Sequence, residues 1–108
     1  MTITSALTVA RLCEPERSVV AARGEVDISS CARLDDAVHH VLDSGTEELV
    51  LNLSGVTFID STGLACILDA LARCREAGTR LRVRPSSQVR RALDLTMPPS
   101  GVGFVIDD

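Results

Sequence analysis

The sequence predicts an α/β fold: a mixed β-sheet with helices packed on one face, its elements in the order β-β-α-β-α-β-α-β. Two observations carry this. Short apolar runs of strand length alternate with longer segments whose apolar residues recur at helical spacing, and only the first two strands are joined by a turn too short to hold a helix. Strand-helix-strand connections over one sheet are right-handed, so successive crossovers gather their helices on one side. With 108 residues the chain is expected to form one domain, residues 1–108, around one core.

The elements follow in order. Residues 3–12 and 18–22 read as strands, and Glu14-Pro15-Glu16-Arg17 between them suits a turn, with proline fixing one dihedral. Ser29-Ser30 can cap a first helix that carries Leu34, Val38, Val41 and Leu42 on one face and Asp35, Asp36, His39 and His40 on the other. Gly45 suits the position after its C-terminus. Leu49, Val50, Leu51 and Leu53 form a short apolar strand, and Leu64, Ile67, Leu68 and Leu71 repeat at helical spacing behind it. Gly78 can end that second helix. Arg80-Leu81-Arg82-Val83-Arg84 alternates strictly, which describes a strand with one wet face. Ser86-Ser87 can cap a third helix with Val89, Ala92, Leu93 and Met97 inward, Pro98-Pro99 end it, and residues 102–106 supply a short last strand.

Composition narrows the function. Apolar content of 45% and charged content of 24% are ordinary for a soluble globular protein. A net charge of −4 argues against nucleic acid as a partner, and no apolar segment is long enough to span a membrane. The first residues lack a basic region followed by an apolar stretch, so no signal peptide is read there and a cytoplasmic location is expected. Tryptophan and tyrosine are absent, which removes a base-stacking platform. Cys13, Cys31, Cys66 and Cys74 show no metal-ligand spacing, and Cys66 and Cys74 are about 12 Å apart along one helix at ~1.5 Å per residue. They read as four reduced thiols used as small apolar residues. No cofactor and no metal site are expected.

The chemistry concentrates at Asp60-Ser61-Thr62-Gly63, between the third strand and the second helix. Two hydroxyls sit where N-capping residues belong. The free N–H groups of a first helical turn and the helix dipole both favour negative charge, so a phosphate on Ser61 is well placed. Two other patterns carry less. Asp43-Ser44-Gly45-Thr46 spells an aspartic-protease signature, but it closes a helix-period segment instead of following a strand in an all-β chain. A serine hydrolase would need a base for Ser61, whereas His39 and His40 fall on the outer face of the first helix and no GxSxG elbow surrounds the serine.

Gly24-Glu25-Val26-Asp27, Val50-Leu51-Asn52-Leu53 and Phe58-Ile59-Asp60-Ser61-Thr62-Gly63-Leu64, in that order and spacing, resemble the STAS domains of bacterial anti-sigma factor antagonists. The resemblance covers nearly the whole chain and implies a STAS-like mixed sheet covered by helices. It also implies partner switching in transcription regulation and stress response. The unphosphorylated antagonist binds an anti-sigma factor, often a serine kinase, and frees the sigma factor; a serine phosphatase restores the unphosphorylated form. By position, Ser61 matches the phosphorylated serine, Asp27 the acidic residue near it, and Asn52 the asparagine of the central strand. Asp27, Asp60, Thr62 and Gly63 make up the expected surroundings of the phosphosite. The chain departs from the family at Met97-Pro98-Pro99-Ser100-Gly101-Val102-Gly103, which replaces the more usual serine-glycine-leucine.

A helical wheel that buries Leu64, Ile67, Leu68 and Leu71 turns Thr62, Cys66, Asp69, Ala70 and Arg73 outward as the expected partner-binding face. On this wheel Ala70 tolerates a bulky charged residue without loss of stability. Cys66, placed outward near the helix start, has surroundings that lower a thiol's pKa, which makes a redox input a subordinate reading. The rival function keeps the fold and changes the role, since related domains are accessory subunits of transporters or larger signalling assemblies.

Overall fold

The computed structural model describes residues 7–96 and 105–106. Its five strands are β1 (Thr8–Leu12), β2 (Ser18–Val26), β3 (Glu48–Ile59), β4 (Arg80–Pro85) and β5 (Val105–Ile106), and its helices are α1 (Cys31–Asp43), α2 (Ser61–Ala77) and α3 (Ser87–Thr96). They alternate in the expected order. The strands lie side by side in chain order, β1 antiparallel to β2 and each later pair parallel. Every crossover steps in the same direction across the sheet, so right-handed connections put all three helices on one face.

Burial follows the pleat. Val20, Ala22, Leu49, Leu51, Leu53, Leu81 and Val83 are buried beneath the helices together with Leu34, Val38 and Val41 of α1, Ile67 of α2, and Val89 and Leu93 of α3. Leu42 is only half-buried at the end of α1.

Several boundaries differ from the sequence reading, each for a local reason. β2 runs four residues beyond Ala22, to Val26, because irregularities in its pairing with β3 absorb Gly24 at a φ of 109°. β3 continues from Leu53 to Ile59 beside that extension. Ser30 occupies the N-cap of α1 without capping it: its hydroxyl donates to the Glu25 carbonyl at 2.8 Å and accepts from the Asp27 N–H at 3.0 Å. Gly45 and Gly78 follow the ends of α1 and α2 at φ 79° and 72°, as expected of residues in the left-handed region. Ser86 caps α3 through its hydroxyl, which accepts from the Val89 N–H at 3.2 Å. The expectations for residues 3–6, for Met97 and the stretch to Gly103, and for the first part of the last strand lie outside the described residues.

Candidate functional site: the junction of β3 and α2

Asp60, not a hydroxyl residue, is the N-cap of α2. Its carboxylate accepts from the Gly63 N–H at 2.8 Å, and its carbonyl from the Leu64 N–H at 2.9 Å. Ser61 therefore opens the helix as its first residue. It is exposed, and its hydroxyl has no hydrogen-bond partner among the described residues. The first two N–H groups of the helix, at Ser61 and Thr62, have no intrahelical carbonyl to bond, as in any α-helix.

Gly63 fixes how the junction sits on the sheet. It is buried, and a Cβ built there would lie 2.2 Å from the Val26 carbonyl oxygen and 2.9 Å from the Val26 carbonyl carbon. Only glycine lets the start of α2 press against the end of β2 this closely. The Asp60 N–H donates to the same Val26 carbonyl at 3.4 Å, and the Cys31 thiol reaches the Thr62 carbonyl at 3.6 Å. The loop holding Asp27 is thus moored beside Ser61.

Asp27 is committed to its own turn. Its Oδ1 accepts from the Ser29 hydroxyl at 2.6 Å, the Ser29 N–H at 3.0 Å and the Ser30 hydroxyl at 3.3 Å. The Ser29 hydroxyl, foremost, holds the Asp27 carboxyl below its ordinary value. Asn52 sits on the central strand, but its side chain turns to the sheet face away from the helices, where it accepts from the Ser54 N–H and hydroxyl at 3.1 and 2.7 Å. It is not part of the Ser61 surface.

The expected outer face of α2 needs correction. The deepest residues are Gly63, Ile67, Ala70 and Cys74, and Leu64, Leu68 and Leu71 are only half-buried. Ala70 is 2% exposed, so it belongs to the core and not to a partner surface. Small residues along one stripe let α2 approach the sheet closely, which turns the helix by roughly 80° from the wheel that buries the leucines, at ~100° per residue. Thr62 and Asp69 are exposed as expected. Ala65 and Ala72, overlooked in the sequence because neither breaks the apolar pattern, are exposed beside them.

Cys66 and Arg73 face α1 instead of solvent. The Arg73 guanidinium donates to Asp69 at 2.8 Å, lies 3.6 Å from Asp35 and contacts the His39 ring. Twelve residues separate Arg73 from Ser61, about 18 Å along the helix at ~1.5 Å per residue, so His39 stands well away from the serine. The Cys66 thiol reaches the Cys31 carbonyl at 3.5 Å. Burial first, and the neighbouring Cys31 second, push the Cys66 thiol up to about 12, which reverses the lowering expected of an open helix start. Cys31, which the sequence spacing did not place beside Cys66, is also raised by burial.

With this geometry in place, a comparison of sequences decides the family. The profile described as "Mlab, STAS domain" matches residues 10–96. The chain belongs to the STAS domain family. Among solved STAS-fold structures, an anti-sigma factor antagonist from Mycobacterium paratuberculosis is 25% identical with a TM-score of 0.77, over 98% of this chain and 89% of that one. The Bacillus cell fate determinant SpoIIAA in its phosphorylated form is 16% identical at a TM-score of 0.69, over 95% and 92%. A Ser-to-Glu variant of RsbS from Moorella thermoacetica is 16% identical at 0.72, over 93% and 87%. These two share the STAS fold with this chain. Among the described residues no helix is long and apolar enough to cross a membrane, and no group of three or more metal-ligating side chains converges.

Proposed function

We propose that this STAS domain is an anti-sigma factor antagonist that binds an anti-sigma factor with serine kinase activity while Ser61 is unmodified, and lets go once Ser61 is phosphorylated. One observation carries the reading: Ser61 is exposed at the first position of α2, and Asp60 has taken over the cap that would otherwise occupy the serine's hydroxyl. Similarity to the mycobacterial antagonist supports the partner class.

Phosphorylation adds about −1.5 to −2 charge. The α2 N-terminus favours that charge by ~0.3–1 kcal/mol. Asp60 opposes it, and so does Asp27 on the adjoining loop. The terms are comparable, so the fold persists while the surface gains negative charge. Two unpartnered charges on a contact surface cost several kcal/mol, and binding is switched by repulsion. The docking surface comprises Ser61, Thr62, Ala65, Asp69 and Ala72, flanked by the half-buried leucines of α2. A serine phosphatase resets the switch, and the site of action is the cytoplasm.

The test is calorimetric titration against the anti-sigma kinases of the same organism, with ATP and phosphosite mapping on each mixture. Ser61→Ala binds as the unmodified protein does and resists release by ATP, whereas Ser61→Asp binds at least about tenfold more weakly, the equivalent of ~1.4 kcal/mol. Equal binding by both variants refutes the switch. Co-purification with a membrane complex in place of a kinase supports the accessory-subunit role instead.

A further inference from the structure

Two thiols that stand 35 residues apart in the sequence meet where α1 and α2 begin. Cys31 is the first residue of α1, and Cys66 lies in the second turn of α2. The Cys31 thiol reaches the Thr62 carbonyl at 3.6 Å, and the Cys66 thiol reaches the Cys31 carbonyl at 3.5 Å. Thr62 is four residues before Cys66, so its carbonyl is the one that a helix turns toward the Cys66 N–H. Helical side chains lean toward the N-terminus, which brings the Cys66 sulfur over that same turn. Each sulfur thus sits on the backbone of the other's turn, and the two thiols hydrogen-bond each other. The remaining cysteines are elsewhere. Cys74 is buried about 12 Å along α2 from Cys66, at ~1.5 Å per residue. Cys13 follows β1 at the far end of β2, where Leu12 pairs with Val19, roughly 23 Å from Val26 at ~3.3 Å per residue.

A disulfide needs its sulfurs ~2.05 Å apart and its Cα atoms within ~4.4–6.8 Å. The first turn of α1 can supply the movement, because Ser30 at the N-cap makes no side-chain hydrogen bond into the helix. Both cysteines are half-buried, and Cys31 at the helix end is the less enclosed. Burial, foremost, raises both thiols, Cys66 to about 12. Little thiolate forms near neutral pH, so exchange is slow and quickens as pH rises. By the same cause no stabilised thiolate favours the reduced pair, and the disulfide persists once closed. Its place gives it a structural effect. The Cys31 N–H donates to the Asp27 carbonyl at 2.9 Å, so a bond from Cys31 to Cys66 ties the Asp27 turn to the start of α2.

We propose that Cys31 and Cys66 are a modification site, closing to a reversible intramolecular disulfide with a low-molecular-weight disulfide as oxidant. The Cys31 thiol gives its proton to solvent and attacks one sulfur of the oxidant, whose S–S bond breaks and releases one thiolate, which takes up a proton. Cys66 then loses its proton and attacks the Cys31 sulfur, forming the protein disulfide and releasing the second thiol. The protein gives up two electrons, and the oxidant is reduced to two thiols. The reading is independent of the switch at Ser61. It is tested by incubating the full chain with oxidised glutathione at mildly alkaline pH, alkylating the remaining thiols, and mapping peptides by mass spectrometry without reduction. A monomer lacking two hydrogens is expected, its Cys31 and Cys66 peptides joined at least about tenfold in excess of any other pair, and dithiothreitol reverses it. Cys66→Ser holds glutathione on Cys31 as the trapped mixed disulfide, Cys31→Ser abolishes the cross-link, and Cys13→Ser leaves it unchanged. In urea the pair loses its advantage to the closer-spaced Cys66 and Cys74. Far-UV circular dichroism checks the fold of each variant, and the wild-type peptide map carries the test if either serine variant is unfolded. Glutathione adducts without the Cys31–Cys66 bond, cross-links between chains only, or the same excess of this pair in urea overturns the proposal.

Discussion

Because Asp60 takes the N-cap of α2, Ser61 opens the helix with a hydroxyl that no group claims among the described residues. The neighbouring glycine is the less forgiving position. Gly63→Ala would drive a methyl group into the Val26 backbone, which cannot rotate out of the way. Overpacking of this kind costs ~1–3 kcal/mol, and we expect the upper part of that range from urea denaturation. The thiols differ in the same local way. Cys13 is exposed, whereas burial holds Cys66 at about 12 and Cys74 at about 11. Labelling with a thiol reagent near pH 8, below the ordinary cysteine value of 9.0, is expected to modify Cys13 rapidly and the two α2 thiols slowly. Rapid labelling of Cys66 would contradict its burial and reopen a redox input.

At the scale of the element, α2 shows what sequence periodicity encodes and what it does not. The order of elements is legible because strand alternation and helical recurrence differ, and because Gly45 and Gly78 mark two helix ends. The rotation of α2 about its axis is not legible. Leu64, Leu68 and Leu71 dominate any apolar count, yet Gly63, Ala70 and Cys74 lie deeper because their small side chains permit close packing. Ser61 and Thr62 are found where the motif places them, while Ala70 moves inward and Cys66 and Arg73 turn toward α1. Ala70→Arg is therefore expected to lower stability by several kcal/mol through a buried, unpaired charge. A cooperative thermal transition at the wild-type temperature would refute the packing of α2.

Across the whole molecule, stability depends on pH through groups that the fold shifts. Asp27 has a folded-state pKa below its ordinary value of 3.8, so its contribution is present above that value and is lost as pH falls through the depressed one. Asp27→Asn is expected to flatten the acid limb of a stability-against-pH curve measured by urea denaturation; an unchanged limb would show that the Ser29 turn survives protonation. Cys66 acts at the other end. Its raised value leaves the folded thiol neutral while an unfolded one ionises above 9.0, so stability declines from there toward about 12. The sheet itself has an order in time as well as in space. Since its strands lie in the sequence in which they are translated, each later parallel strand adds to an existing edge and none must be inserted between two already paired. A chain emerging from the ribosome can build outward from the β1–β2 hairpin, keeping one growing edge and exposing little unpaired strand to its neighbours while it waits.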